Sequence, residues 1–240
     1  MPRRDDLHHS ALVASSAIIT PDHRTIDLYC FRLDRLAVSD VISLPDEKAA
    51  AGRFQVPRAA DRFLIRRAIL RSLVADLNGL EPSSVDLVRE GGERPSIAGL
   101  SRFHFNTSHS EDLFLVASSF EAVPGIDVEL ERPIPDLDSL LPRICSPTER
   151  DLLQETDSFS SSRFLEIWTR KEAVLKALGL GLRLDPAGIT VPCSEGPLGE
   201  WTSASVDDPS SGLPGVEVIT PTDLPDGILC SLAVQVNKRP

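Results

Sequence analysis

Trp168-Thr169-Arg170-Lys171-Glu172-Ala173-Val174-Leu175-Lys176-Ala177-Leu178-Gly179-Leu180-Gly181 is the stretch on which the reading of the fold turns. Phe164, Ile167, Val174 and Leu178 recur at helical spacing, so the stretch reads as the C-terminal half of a helix. Gly179 can take the left-handed conformation that ends one. The chain carries only four lysines, Lys48, Lys171, Lys176 and Lys238, among 25 basic residues. Two of the four stand in this helix and flank the carboxylate of Glu172. A compact ammonium suits a phosphate held as a point charge. A Glu172–Lys176 surface pair at i, i+4, worth about 0.2–0.5 kcal/mol, accounts for the same residues.

Upstream, Gly125 to Leu130 reads as a strand with Asp127 and Glu129 on one face, since side chains at i and i+2 project together. Two converging carboxylates repel unless a cation joins them. A hard dication such as Mg2+ would do so, leaving the rest of its shell to water and phosphate oxygens; an exposed acidic face answered by Arg132 is the alternative. Before it, Arg102 to Thr107 and Leu113 to Ser119 form a hairpin that puts His109 at the turn, next to Ser108 and Ser110. Earlier still, Phe63, Leu70, Leu73, Val74 and Leu77 draw a helical stripe closed by Asn78-Gly79. Arg58, Arg62 and Arg66 follow one another at i, i+4 and i+8 on that helix, with Arg67 and Arg71 beside them. Such a ladder requires anions nearby, either protein carboxylates or a ligand phosphate. A strand at Val85 to Arg89 follows the helix, and Leu141 to Leu153 reads as a short helix begun at Ser146-Pro147. Strands are expected near 189–191, 216–220 and 229–236.

At 240 residues and 41% hydrophobic, the chain can bury one large core or two smaller ones. Cys30, Cys145, Cys193 and Cys230 show no metal-ligand spacing, which fits reduced thiols and a cytoplasmic location. The apolar run at 11–19 is too short for a membrane span, and Asp5 and Asp6 spoil a signal-peptide start. A net charge of -11 argues against nucleic acid or an anionic membrane as main partner. An anionic ligand would need a local basic site.

Ile26-Asp27 recurs as Ile126-Asp127, Arg62-Phe63-Leu64 as Arg163-Phe164-Leu165, and Gly79-Leu80 as Gly179-Leu180, at offsets of 100, 101 and 100. Three matches in order, each at the same point of a strand, helix and helix-end pattern, imply an α+β chain of two pseudo-duplicated halves. Each half is expected to be a small antiparallel sheet packed on a long helix: residues 25–122 and then 123–240, after an N-terminal extension of residues 1–24. At an offset of 100, Tyr29 and Ser72 stand where the second half has Glu129 and Glu172. One site is therefore expected, in the cleft between the halves.

Phe105-Asn106-Thr107-Ser108-His109-Ser110, Gly125-Ile126-Asp127-Val128-Glu129 and Trp168 to Lys176 resemble, in order and spacing, three signatures of the Sfp-like 4'-phosphopantetheinyl transferases. Gly92-Glu93-Arg94-Pro95 is similar to that family's Gly-Lys-Pro region, and Ser146-Pro147-Thr148-Glu149 also matches. The resemblance covers roughly residues 45 to 182 and implies a pseudo-duplicated monomer. It implies transfer of the phosphopantetheine arm of coenzyme A to a serine of an apo acyl or peptidyl carrier protein, with release of 3',5'-ADP. Asp127, Glu129 and Glu172 match the family's Mg2+ ligands. Lys176 and His109 match groups on the coenzyme A phosphates, with Ser108 beside them and Arg94 near the nucleotide. Basic residues of the first helix serve the 3'-phosphate in the family, which would employ Arg58 or Arg66; Glu47 and Lys48 stand where some members have two lysines. Glu172 or Glu149 would take the serine proton. The alternative is a non-catalytic module of the same fold that binds coenzyme A or carrier protein.

Overall fold

The computed structural model of the chain describes residues 7–88, 96–155, 160–192, 199–206 and 213–236. A short helix α1 (Leu7–Ala11) runs into strands β1 (Leu12–Ile19) and β2 (Thr25–Arg32), followed by helices α2 (Pro45–Ala51) and α3 (Pro57–Asn78). A small ribbon, β3 (Leu87–Val88) with β4 (Ser96–Ile97), precedes the hairpin β5 (His104–Ser110) and β6 (Leu113–Ser119). Then come β7 (Pro124–Leu130), α4 (Leu137–Ile144), α5 (Pro147–Glu155) and α6 (Ser161–Leu178). Strands β8 (Ile189–Thr190), β9 (Thr202–Val206), β10 (Gly215–Ile219) and β11 (Ile228–Val236) complete the described residues.

The main sheets have the orders β1-β2-β6-β5 and β7-β11-β10-β9-β8, and their neighbours pair antiparallel. Within them β2-β6-β5 repeats as β7-β11-β10. The register repeats too, with Asp27 opposite Ser118 and Asp127 opposite Ser231. Helices α3 and α6 both end on a left-handed glycine, Gly79 at φ 63° and Gly179 at φ 73°, as the sequence leads one to expect. The α+β architecture of two related halves is thus present in order, register and helix ends.

Strand alternation sorts the side chains into three cores. Ile26 and Leu28 of β2 meet Ile126 and Val128 of β7 and Leu232 of β11 between the two sheets. Phe31 and Val116 turn the other way onto Ile65, Ile69 and Leu73 of α3. On the opposite outer face, Val174 and Ala177 of α6 pack against Val216, Val218 and Ala233. The layers run helix, sheet, sheet, helix. The buried stripe of α3 therefore includes Ile65 and Ile69, whereas Phe63 is half-buried and meets the ring of Phe54.

Three local expectations change. Residues 7–19 are built into the first half as α1 and the edge strand β1, so the segment read as an extension supplies a core residue, Ala11, and a partner for β2. His109 lies within β5, paired opposite Phe114; the hairpin turns at Glu111-Asp112, where Glu111 sits at φ 50°. The helix expected over 141–153 is two helices, broken at Cys145-Ser146 because Ser146 and Glu149 cap the second one reciprocally.

Candidate active site

Gly125 decides how closely α6 approaches β7. A Cβ there would lie 2.1 Å from the Ala173 carbonyl oxygen and 2.3 Å from the Ala177 nitrogen, so helix and strand backbones are in direct contact. With Ala173 and Ala177 against the strand, Glu172 and Lys176 on the adjoining stripe of α6 come over the face of β7 that carries Asp127 and Glu129.

Asp127 is 7% exposed. Its Oδ1 accepts hydrogen bonds from Ser108 Oγ at 2.8 Å and Lys176 Nζ at 2.7 Å, and Nζ also donates to the Ile126 carbonyl at 2.9 Å. Lys176 thus reaches across to β7 rather than serving only its own helix. Ser108 Oγ also accepts from the Val128 amide at 3.3 Å. Two residues on, the unit repeats: Ser110 Oγ donates to Glu129 Oε2 at 3.1 Å and accepts from the Leu130 amide at 3.3 Å. Strands β5 and β7 belong to different sheets, so these two hydroxyls stitch the seam between the halves. Arg132 closes the outer end, 2.7 Å from Glu129 Oε2. Arg132 answers Glu129 as the alternative reading of this face expects, whereas Ser110 was not among the expected site groups although it shares a strand face with Ser108 by simple alternation.

The carboxylates repel one another. Burial pushes the Glu172 carboxyl up, and the charges of Asp127 and Glu129 push the same way against Lys176. Burial likewise raises Asp127, opposed by Lys176 and Ser108. The oxygens of Asp127, Glu129 and Glu172 are not all within 4.8 Å of one another, and Lys176 supplies the only positive charge bonded to Asp127 among the described residues. An all-oxygen donor set on two packed elements, its mutual repulsion offset only in part by Lys176 and Arg132, fits a hard dication.

The other side of the seam is cationic. Partial desolvation, then the positive charges of Arg66, Lys176 and Arg62, push the His109 imidazole down to about 4, although the residue is exposed to solvent. Among the α3 arginines, Arg58 and Arg62 pair with Asp112 at 2.7 and 2.8 Å, and Arg62 also reaches Glu111. Arg67 and Arg71 both pair with the buried Glu47, which answers why an acid stands at that position. Arg66 alone of the five has no ion pair among the described residues. Burial and the neighbouring Arg62 lower it to about 10. Arg94 lies outside the described residues.

Two groups leave the site. Lys171 is fully buried and donates to the carbonyls of Ile144 and Pro186 at 2.8 and 2.9 Å. Its ammonium is 2.6 Å from Glu149, whose carboxylate also accepts from the amides of Ser146 and Val191. Glu149 is 0% exposed and its oxygens are engaged by protein groups, so it ties α5 to α6 and the Val191 segment. Of the two candidate proton acceptors, Glu149 is thus committed to the protein interior.

Residues 124–222, which carry this arrangement, match the model of the 4'-phosphopantetheinyl transferase superfamily, and residues 35–121 match that of a 4'-phosphopantetheinyl transferase N-terminal region. The chain belongs to the 4'-phosphopantetheinyl transferase superfamily. It is 40% identical to the 4'-phosphopantetheinyl transferase HetI of a Nostoc species over 141 residues, 57% of this chain and 60% of HetI. It is 32% identical to psf-1 of Bacillus pumilus over 151 residues, 62% of this chain and 64% of the relative. The Bacillus subtilis 4'-phosphopantetheinyl transferase Sfp is 32% identical over 142 residues, 58% of this chain and 62% of Sfp. The aligned stretches therefore span less than two thirds of these relatives. The two family models meet at residues 121 and 124, next to the β5–β7 seam on which this superfamily member gathers its polar groups.

Proposed function

We propose that this protein transfers the 4'-phosphopantetheine arm of coenzyme A to a serine of an apo acyl or peptidyl carrier protein and releases 3',5'-ADP. The observation that carries this reading is the seam itself, which brings the carboxylates of Asp127, Glu129 and Glu172 into the same electrostatic neighbourhood as Lys176, His109 and Arg66, the last without an ion pair among the described residues. In the transfer, the serine oxygen bonds to the phosphorus that bears the pantetheine. The bond from that phosphorus to the bridging oxygen breaks, and 3',5'-ADP leaves with the electron pair. Glu172 takes the serine proton directly or through water.

Asp127, Glu129 and Glu172 would hold Mg2+, which when bound supplies positive charge to the pyrophosphate oxygens. Lys176 and His109 hold phosphate, with Ser108 keeping Asp127 in place beside them. Arg66 has a half-buried charge with no ion pair among the described residues, which suits the 3'-phosphate; Arg58 is exposed and already paired with Asp112. Arg94 serves the nucleotide end. Positioning and charge neutralisation are most of what phosphoryl transfer asks of a protein. Among the described residues no helix is long and apolar enough to cross a membrane, and we place the reaction in the cytoplasm with the protein acting as a monomer.

The test is incubation of the full chain with coenzyme A, Mg2+ and apo carrier proteins of both kinds, read by mass spectrometry. A mass gain of one phosphopantetheine on the carrier, with matching 3',5'-ADP, is expected. Thermal stabilisation by coenzyme A with no mass gain would instead identify a binding module of the same fold. Neither effect would sink both readings.

A further inference from the structure

Among the described residues, His8, His9 and Asp76 are the trio of His, Cys, Asp or Glu side chains whose ligand atoms all lie within 4.8 Å of one another. They come from two elements, α1 and the last turns of α3. His8 is 3% exposed, while His9 and Asp76 are open to solvent. Their place in the fold is specific. Asp76 and Ser72 stand 100 positions before Lys176 and Glu172, so α1 covers the face of the first half that corresponds to the carboxylate face of the second.

The local geometry suits coordination better than simple pairing. His8 Nδ1 lies 3.0 Å from Ser72 Oγ. In the tautomer where Nδ1 donates to that hydroxyl, Nε2 turns its lone pair towards Asp76, and a hydrogen bond to the far nitrogen is what orients metal-binding histidines. His8 Nε2 and Asp76 Oδ2 are 3.6 Å apart, longer than a hydrogen bond. Two ligand atoms at about 2.05 Å from a tetrahedral ion are separated by about 3.3 Å, close to that spacing. The His8 and His9 rings have centroids 4.0 Å apart with planes 43° apart, and a ligand nitrogen of His9 lies within 4.8 Å of those of the other two residues.

We propose that His8, His9 and Asp76 form a second metal site, one that takes a borderline transition-metal dication such as Zn2+ and locks α1 onto α3. Two imidazoles with one carboxylate select this class over Mg2+, which prefers oxygen donors. Three protein ligands leave a coordination position for water, so the site is open. Binding stabilises the folded chain, because the three ligands are brought together only when α1 is docked. This assignment stands apart from the transferase reading and does not depend on it.

The test uses the full chain freed of metal by a chelator. Zn2+ is added in the presence of excess Mg2+, and thermal stability and affinity are followed by competition with a chromophoric chelator; Co2+ serves as the spectroscopic probe of imidazole ligation. Wild type and Asp127→Asn are expected to show the same Zn2+-dependent rise in Tm and the same Co2+ ligand-field bands. His9→Ala and Asp76→Asn change exposed side chains, and each should lose the rise and weaken Zn2+ by more than about tenfold. Retention of the full effect by either variant overturns the site. So does a wild type that shows neither the rise nor the bands, in which case the trio is only the contact that packs α1 on α3.

Discussion

Asp127, Glu129, Glu172 and Lys176 in the second half stand 100 positions after Asp27, Tyr29, Ser72 and Asp76 in the first. The strand pairings beneath them are equivalent, and both long helices end on a left-handed glycine. What differs is how near the helix comes. Gly125, Ala173 and Ala177 let α6 touch β7, whereas the first half has Thr25, Leu73 and Leu77 at the corresponding positions. Larger side chains fill the interface between α3 and its sheet, a hydroxyl and a phenol replace two carboxylates, and α1 covers the result. One scaffold thus carries a polar cleft in one half and a capped surface in the other. The first half still contributes to the cleft, through the cations of α3 and β5 rather than through its own copy of the acidic face.

The largest expected effect separates the two aspartates. Asp127→Ala should reduce carrier modification by about 10³-fold or more, since it removes both a charge partner of Lys176 and an oxygen donor. Asp27→Ala should leave the rate within about threefold, as a change remote from the chemistry. Equal losses in the two variants, with both folded by circular dichroism, would erase the functional asymmetry between the halves.

Helix approach comes next. Gly125→Ala forces a methyl into the α6 backbone and should destabilise the chain by about 1–3 kcal/mol, with a fall in activity measured well below the melting range. Thr25→Ala, at the matching position, should cost under about 1 kcal/mol. Denaturant midpoints at constant slope would compare them directly. Unchanged stability in Gly125→Ala would mean that close contact does not hold the acidic face in place.

The smallest effect concerns the cationic side. His109 titrates near 4 in the folded chain and near 6.5 when unfolded, so the unfolded state takes up the proton first as pH falls. Its contribution to stability is complete above about pH 6.5, declines between 6.5 and about 4, and changes no further below that. His109→Gln should flatten that part of the stability profile. Arg66→Gln should raise the His109 midpoint observed by NMR, because one of the positive charges that holds it down is gone. A midpoint that stays at its place in Arg66→Gln would show that Arg66 does not face the histidine.

Much of the site was legible before any coordinates, because strand alternation alone puts Asp127 and Glu129 on one face and helical spacing keeps Glu172 near Lys176. The repeat at an offset of 100 likewise anticipated the equivalence of β2 with β7 and of the ends of α3 and α6, since local patterns fix strands and helix ends, whereas the strand orders came only with the fold. Long-range pairing was another matter. Nothing local distinguishes Lys171 from Lys176, yet one is buried on Glu149 and carbonyl oxygens while the other reaches Asp127. Five arginines look alike on α3 until Glu47, Glu111 and Asp112 arrive from distant parts of the chain and leave Arg66 without an ion pair among the described residues. His109 read as a turn residue because hairpin register depends on its partner strand, and α1 read as an extension because its histidines acquire meaning only against Ser72 and Asp76. Periodicity is written in neighbouring residues and so belongs to the sequence; which charge answers which is decided by contacts across 20 to 68 positions, and only the folded chain brings those together.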